Sequence, residues 1–471
     1  LYAFARTVDT MIPATGETVP GDPQPDDLKA YSEKSDKDYD PLKDPSIDQS
    51  LLGHTYQVVM PMTVTKVKDG HTVENTATQV TNDRRDKTNT VTNPLKEINP
   101  TKDVTVKVGG DSIDGKSVYL NHTFLYRLDS SILPPDRAYQ TVTDWGGTDQ
   151  LNTEYDQYLG NWAVYASRDL YRDGQVLAAR GEKIAGSGFD SSKFGGNLFT
   201  VDADENGKVT ADATQAYLDL VSADNEHEAG WVLYLQCKRI AVADEVPNTW
   251  TETINGQPRE SNKVVTKTPD MTPSIHLEKV DTPTLKQDGQ EQADRDDPKQ
   301  ALKMDADNIG ITFIITNTSK TDPATGDGAW FKASDLDLAD STIVGDAHVD
   351  MDSLTYPADW DTLVLKPGES VSVTGTLKGV KEGETHTDRA IVTGTPLVEC
   401  APSNGDPFND KTDGGEDTDP EYSTGDVTEI DGKQLCADTQ TASNTDYWNG
   451  YREKPLASTG TAVLGLAGGA L

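Results

Sequence analysis

Few residues of this chain have the type and spacing to do chemistry. Three cysteines and seven scattered histidines form no multi-Cys zinc pattern, no HExxH and no paired-His spacing, which leaves metal-hydrolase chemistry without support. Lysine, carboxylate and carboxamide groups remain. Lys102 lies on the opening strand of a segment that closes with Asn262 on its last strand, and in a Greek-key sandwich first and last strands can be neighbours. In an apolar core, desolvation drives a lysine amine towards its neutral, nucleophilic form and a carboxyl group towards its protonated form. The protonated acid can polarise an asparagine carboxamide, the amine can attack its carbon, and ammonia leaves in one single-turnover event. The bland alternative is a lysine exposed on an edge strand.

Other candidates carry less. Cys400 and Cys436 flank an acidic insertion, residues 403–432, and a disulfide between them would close it. Cys237, in register with Trp231, Leu233 and Leu235, reads as a small core residue. Residues 202–207 begin like a calcium loop, but the twelfth position, where an EF-hand needs glutamate, is Ala213; an Asn206-Gly207 hairpin turn explains the segment better. Carboxylates are too numerous for any spacing to single out a glycosidase pair. Trp145, Tyr155, Tyr158, Trp162 and Tyr165 could stack on sugar, but such aromatics more often fill a sandwich core.

The elements that must position these groups read as strands. Thr/Val alternation at 63–67, 104–108 and 371–377, bounded by Gly, Asp, Asn and Pro, predicts antiparallel strands with one wet face. One helix is expected over 210–223. An internal echo, Asn75-Thr76 with Asn89-Thr90 and Asn248-Thr249 with Asn262-Lys263, suggests that two domains close with similar hairpins, turning near Asn82-Asp83 and at Asn255-Gly256. The expected organisation is a truncated domain at 1–95, a complete domain at 96–269, a third at 270–455 carrying the acidic insertion, and a tail at 456–471. Residues 23–48, like the insertion, read as a solvated acidic segment. With 42 basic against 79 acidic residues and a net charge of −37, the chain offers no basic surface for nucleic acid or anionic lipid. It begins within what reads as a strand and ends within an apolar run, as a fragment would.

The tail resembles a sortase sorting signal: Leu456, Ala457, Ser458, Thr459 and Gly460 form Leu-Ala-x-Thr-Gly before an apolar stretch. That stretch, 461–471, would rise only about 16 Å as a helix, too short to cross a bilayer. The resemblance implies export, anchoring to peptidoglycan of a Gram-positive cell wall, and sortase as a partner. Within 96–269, PTKDVTVKVGG, YLNHTFLYRLDSSILPPDRA, TDWGGTDQLNTEYDQY, YLQCKRIAV and ESNKVVTKTP resemble, in order, an isopeptide-forming domain of the streptococcal antigen I/II adhesins, and residues 55–95 resemble the end of the preceding domain. This resemblance implies an all-β fold of tandem, variant immunoglobulin-like sandwiches in an elongated stalk. It also implies an intramolecular Lys–Asn amide with Lys102 as nucleophile, Asn262 as acceptor and Asp144 as assisting acid, Asp129 and Asp149 being the alternatives. Trp145-Gly146-Gly147 breaks the family's acidic run there. In the third domain, Lys279 on a first strand and Asp388 on a late one could make a second crosslink.

The expected function is a non-enzymatic, wall-anchored adhesin stalk presenting a binding head to a host or bacterial surface glycoprotein or glycan. No cofactor is required; calcium occurs in the resembled family, and its ligands are not placed. The rivals are a pilus subunit joined through the LASTG sequence and a carbohydrate-active surface enzyme.

Overall fold

The computed structural model describes residues 64, 66, 68–81, 84–138, 140–282, 294–402, 407–408 and 427–455. The sorting-signal residues Leu456 to Gly460, the segment 23–48, the turn at Asn82-Asp83 and most of the acidic insertion lie outside these residues. The chain forms two units, 1–98 and 99–471. In the first, Thr72–Asn75 pairs antiparallel with Val91–Pro94, and Thr78–Thr81 with Arg84–Lys87.

The second unit is all-β apart from one α-helix and short 3-10 turns among the described residues, and it contains two sandwiches. In the first sandwich one sheet runs in the order Lys183–Gly186, Asp156–Ala166, Trp231–Arg239, Thr123–Asp129, Thr101–Thr105. The facing sheet runs Phe199–Ala203, Lys208–Ala213, Trp145–Gln150, Trp250–Ile254, Gln257–Glu260, and Ala243–Asn248 pairs separately with Val264–Thr268. Trp231 from one sheet meets Trp145 and Trp250 from the other, at 6.2 and 5.8 Å between ring centroids, so large aromatics fill the space between the layers.

Local chemistry accounts for these elements. Asn255 and Gly256 take φ of 48° and 70°, the paired left-handed conformations of a tight hairpin turn, joining Trp250–Ile254 to Gln257–Glu260. Gly147 has a different role: a Cβ there would lie 2.6 Å from the Trp250 ring, so the glycine that interrupts the acidic run lets two neighbouring strands pack an indole between them. The 202–207 segment is the hairpin expected of Asn206-Gly207, with Asp204 Oδ1 accepting from the amides of Asn206 and Lys208. The helix spans Gln215–Ala223 only; Thr210 to Ala213 belong to the strand Lys208–Ala213, where Ala211 and Asp212 pair with Gly147 and Gly146.

The one wet face expected of the Thr/Val runs is seen in Ser370–Lys378, where buried Val371 and Val373 alternate with exposed serines, but the central strands of the first sandwich differ. Thr123–Asp129 and Trp231–Arg239 are buried on nearly every residue. The outer face of this sheet carries Leu125, Ala163, Tyr165, Val232 and Tyr234, covered by Phe408 from the acidic insertion, whose carbonyl accepts from Lys183 Nζ at 2.7 Å. Ser117 and Tyr119 of the first sandwich further bond Asp322 and Asp327 of the second.

The second sandwich faces Ile275–Asp281, Asn308–Asn317, Ser370–Lys378 and His348–Val349 against Leu302–Lys303, Ala442–Tyr451, Thr385–Gly394 and Asp337–Val344. Phe313, Phe331, Ile311, Val373 and Trp448 are among its core. Cys400 and Cys436 are joined as a disulfide at the base of the insertion, and Cys237 is a free thiol buried in the first sandwich.

Candidate crosslinking site

The strand Thr101–Thr105 alternates so that Lys102 and Val104 turn inward, and Lys102 is only 3% exposed. Its Nζ pairs with Asp149 Oδ2 and lies 4.5 Å from the centroid of the Tyr126 ring. Asp149 comes from the facing sheet, on Trp145–Gln150, in register with Trp250 and Val209. The ion pair therefore bridges the two layers. Burial drives the Lys102 ammonium below its ordinary range, against the opposing pull of Asp149. Asp149 Oδ1 is buried without a hydrogen-bond partner.

Beside this pair lies a second buried charge cluster that is fully engaged. Arg239 Nε donates to Asp156 Oδ1 at 2.8 Å, its two terminal nitrogens donate to Thr268 and Thr266, and Tyr126 donates to Asp156 Oδ2 at 2.8 Å. Desolvation raises the Asp156 carboxyl although Arg239 opposes it. Glu252 is likewise occupied, accepting from Ser131 and from Trp145 Nε1. Such satisfied groups hold the fold together and have no orbital or proton to spare for chemistry.

Asn262, Asp144 and Asp129, which the sequence also singled out, lie elsewhere. Asn262 is exposed, and its carboxamide is committed to the main chain of Lys102, accepting from its N–H at 2.9 Å and donating to its carbonyl at 2.8 Å. It clamps the strand that carries the lysine; the amine points the other way, into the core. Asp144 sits at the Asn255-Gly256 turn, accepting from Gly256 N at 3.0 Å. Asp129 pairs with Arg127 at 2.8 Å on a partly exposed face. Of the acids weighed from sequence, Asp149 is the one that meets Lys102.

Asn248 was missed. It ends the strand Ala243–Asn248, pairs with Val264, is 6% exposed, and neither atom of its carboxamide has a hydrogen-bond partner. A buried amide left unpaired costs about 1–3 kcal/mol for each group, so its presence calls for a reason. Trp250, two residues on and inward like Asn248, donates from Nε1 to Thr101 O at 3.0 Å and pairs in register with Asp149. The same short segment thus borders Lys102 and its acid. The available signal was the Asn-Thr echo, in which the first asparagine of each pair precedes the closing hairpin.

Among the described residues, no group of three or more His, Cys, Asp or Glu side chains is placed to hold a metal ion, and no helix is long and apolar enough to cross a membrane.

Comparison with known proteins places these features in context. Residues 99–269 match the family profile described as cell surface antigen C-terminus, and residues 1–95 match that of the cell surface antigen I/II C2 terminal domain. Aggregation substance of Enterococcus faecalis is 36% identical over 225 residues, covering 47% of this chain and 16% of that protein, so the chain spans under a fifth of that relative's length. Among solved structures, the C-terminal domain of the Streptococcus pyogenes antigen I/II-family protein AspA matches at 28% identity, over 42% of this chain and 54% of that one, with a TM-score of 0.36. The C-terminal domain of the Streptococcus agalactiae AgI/II polypeptide BspA matches at 23% identity over 42% and 58%, also with a TM-score of 0.36.

Proposed function

Over residues 1–95 and 99–269 the chain belongs to the cell surface antigen I/II family, and on that premise we propose that it is stalk from a bacterial surface adhesin, welded internally by an autocatalytic Lys102–asparagine amide. The observation that carries this reading is the buried Lys102–Asp149 pair, together with the buried, unpaired carboxamide of Asn248 two residues from Trp250, which bonds Thr101 O and pairs in register with Asp149. Asn248, and not the solvent-exposed Asn262, is the acceptor. Asp149 takes a proton from the Lys102 ammonium, the freed amine attacks Asn248 Cγ, the new C–N bond forms as the old one breaks, and the leaving amide nitrogen departs with that proton as ammonia, while the attacking nitrogen gives a second proton to Asp149, which ends neutral, and keeps its third in the new amide. Charge is consumed, and the orphaned carboxamide becomes part of a bond. The event happens once per molecule and regenerates no catalyst, so the protein is not an enzyme.

Such a weld suits a cysteine-poor protein that bears load outside the cell. In this reading the 456–460 sequence is cut by a sortase between Thr459 and Gly460 and joined to peptidoglycan, and the stalk presents a head that binds a host or bacterial surface glycoprotein or glycan. Intact mass of the purified full chain tests the weld: amide formation lowers the mass by about 17 Da through lost ammonia, and Lys102→Ala restores that amount. A wild-type chain showing no deficit that Lys102→Ala removes overturns the proposal.

A further inference from the structure

The second sandwich holds a buried charge cluster with a different composition. On the edge strand Ile275–Asp281, Leu277 and Lys279 both face inward, and Lys279 is completely buried. Two side chains of the opposite sheet seat this strand: Asn444 Oδ1 accepts from Leu277 N at 3.0 Å, and Asp446 Oδ2 accepts from Lys279 N at 2.5 Å. The Lys279 side chain crosses the core past the Phe313 ring to reach two carboxylates at once, with Nζ 2.5 Å from Asp340 Oδ2 and 2.5 Å from Asp388 Oδ2. Asp340 pairs in register with Ala390, two residues from Asp388, so the acids are diagonal neighbours on one face of adjacent strands. His386 completes the group, its Nε2 3.1 Å from Asp388 Oδ2.

This arrangement is poor as a permanent salt bridge. One cation faces two acids in a dry core, where an ion pair seldom recovers the cost of desolvation. Asp388 Oδ1 and His386 Nδ1 are buried without partners. Desolvation, reinforced by Asp388, raises Asp340 to about 6 although Lys279 opposes the shift, so Asp340 can hold and release a proton near neutrality.

We propose that Lys279 and Asp388 condense into an intramolecular amide that joins the first strand of this sandwich to its opposite sheet. Asp340 takes one proton from the Lys279 ammonium, and the amine attacks Asp388 Cγ while His386 Nε2–H, directed at Oδ2, polarises the carboxylate. A C–N bond forms and one C–O bond breaks. The departing oxygen leaves as water with two protons, one returned by Asp340 and one from the nitrogen, which keeps its third. The ammonium and carboxylate charges cancel, and Asp340 ends as it began. The acceptor here is a carboxylate and the product water, unlike the ammonia released at Lys102, and the site lies outside the segments that match the antigen family.

Tryptic digestion of the full chain with tandem mass spectrometry tests this. The expected product is a branched peptide joining residues 268–286 to residues 382–389, lighter than the sum of the two by about 18 Da. In Asp340→Asn, which keeps nucleophile and acceptor, the branch should fall at least tenfold while both linear peptides appear. In Lys102→Ala the branch should persist, so loss of the first weld and loss of this one are told apart. Linear peptides alone from the wild type, or a branch ending at Asp340, overturn the proposal.

Discussion

Asn248→Ala separates a covalent weld from an ordinary polar core. The substitution leaves the Lys102–Asp149 pair intact and removes only the proposed acceptor. A crosslink between residues 102 and 248 closes a loop of about 150 residues, and the chain-entropy account gives a crosslink of that span about 5 kcal/mol of stability. For a domain of this size about 1 kcal/mol moves the melting temperature by roughly 2–4 °C, so loss of the weld should lower the transition of the first sandwich by about 10–20 °C. The opposite sign is expected without a weld, because alanine would then delete a buried carboxamide that has no partner and relieve its desolvation cost of about 1–3 kcal/mol. Calorimetry of the full chain beside Asn248→Ala and Asn262→Ala decides. A melting temperature unchanged or raised in Asn248→Ala refutes the reasoning, as does a large drop in Asn262→Ala accompanied by loss of the mass deficit.

Gly147→Ala should destabilise the first sandwich by about 1–3 kcal/mol in denaturant titration, because the new Cβ would meet the Trp250 ring and the Thr251 carbonyl. Phe408→Ala should uncover the outer-face cluster around Leu125 and Tyr165, read as faster amide exchange in Trp231–Arg239 and faster proteolysis of the insertion, with the core of the second sandwich unchanged. Asp446, raised to about 7 by desolvation and by the neighbouring Asp296 and Glu278 carboxyls, stays protonated in the folded chain at pH values where the unfolded chain has released that proton. Its contribution is therefore fully present below about pH 4 and lost as pH rises towards 7, with a slope of up to about 1.4 kcal/mol per pH unit. Asp446→Asn should flatten the stability profile over that interval, and an unchanged profile would contradict the assignment.

Periodicity and turn chemistry carried much of the architecture. Of the Thr/Val runs, 371–377 lies in the antiparallel strand Ser370–Lys378, whereas the run at 104–108 stays in a strand only to Thr105 and residues 64 and 66 lie in none; Asn255-Gly256 announced its hairpin, and the inward register of Lys102 with Val104 was open to reading once a strand was placed there. The extent of the helix was not, because whether Thr210 to Ala213 coil or extend depends on the glycine-lined neighbour Trp145–Gln150, a tertiary partner that propensity does not see. The same limit explains Asn262 and Asn248. Both stand near strands that border Lys102, but which one turns its carboxamide inward depends on register within the closing hairpins, and Asn262 is drawn to the free N–H and carbonyl of an edge strand. Asp149 was among the acids considered, and only the pairing of Trp145–Gln150 with Trp250–Ile254 brings it to the lysine in place of Asp144. Phe408 gave no sequence signal, being a lone aromatic in an acidic insertion.

The proposed weld in the first sandwich is tested most directly by a tryptic digest of the full chain under denaturing conditions, read by tandem mass spectrometry. A branched peptide joining residues 97–107 to residues 240–259, uncut at Lys102 and lighter by about 17 Da than the two together, with fragment ions placing the junction at Lys102 and Asn248, is the predicted result. Recovery of both segments as separate linear peptides of full mass, with asparagine intact at 248, would contradict it.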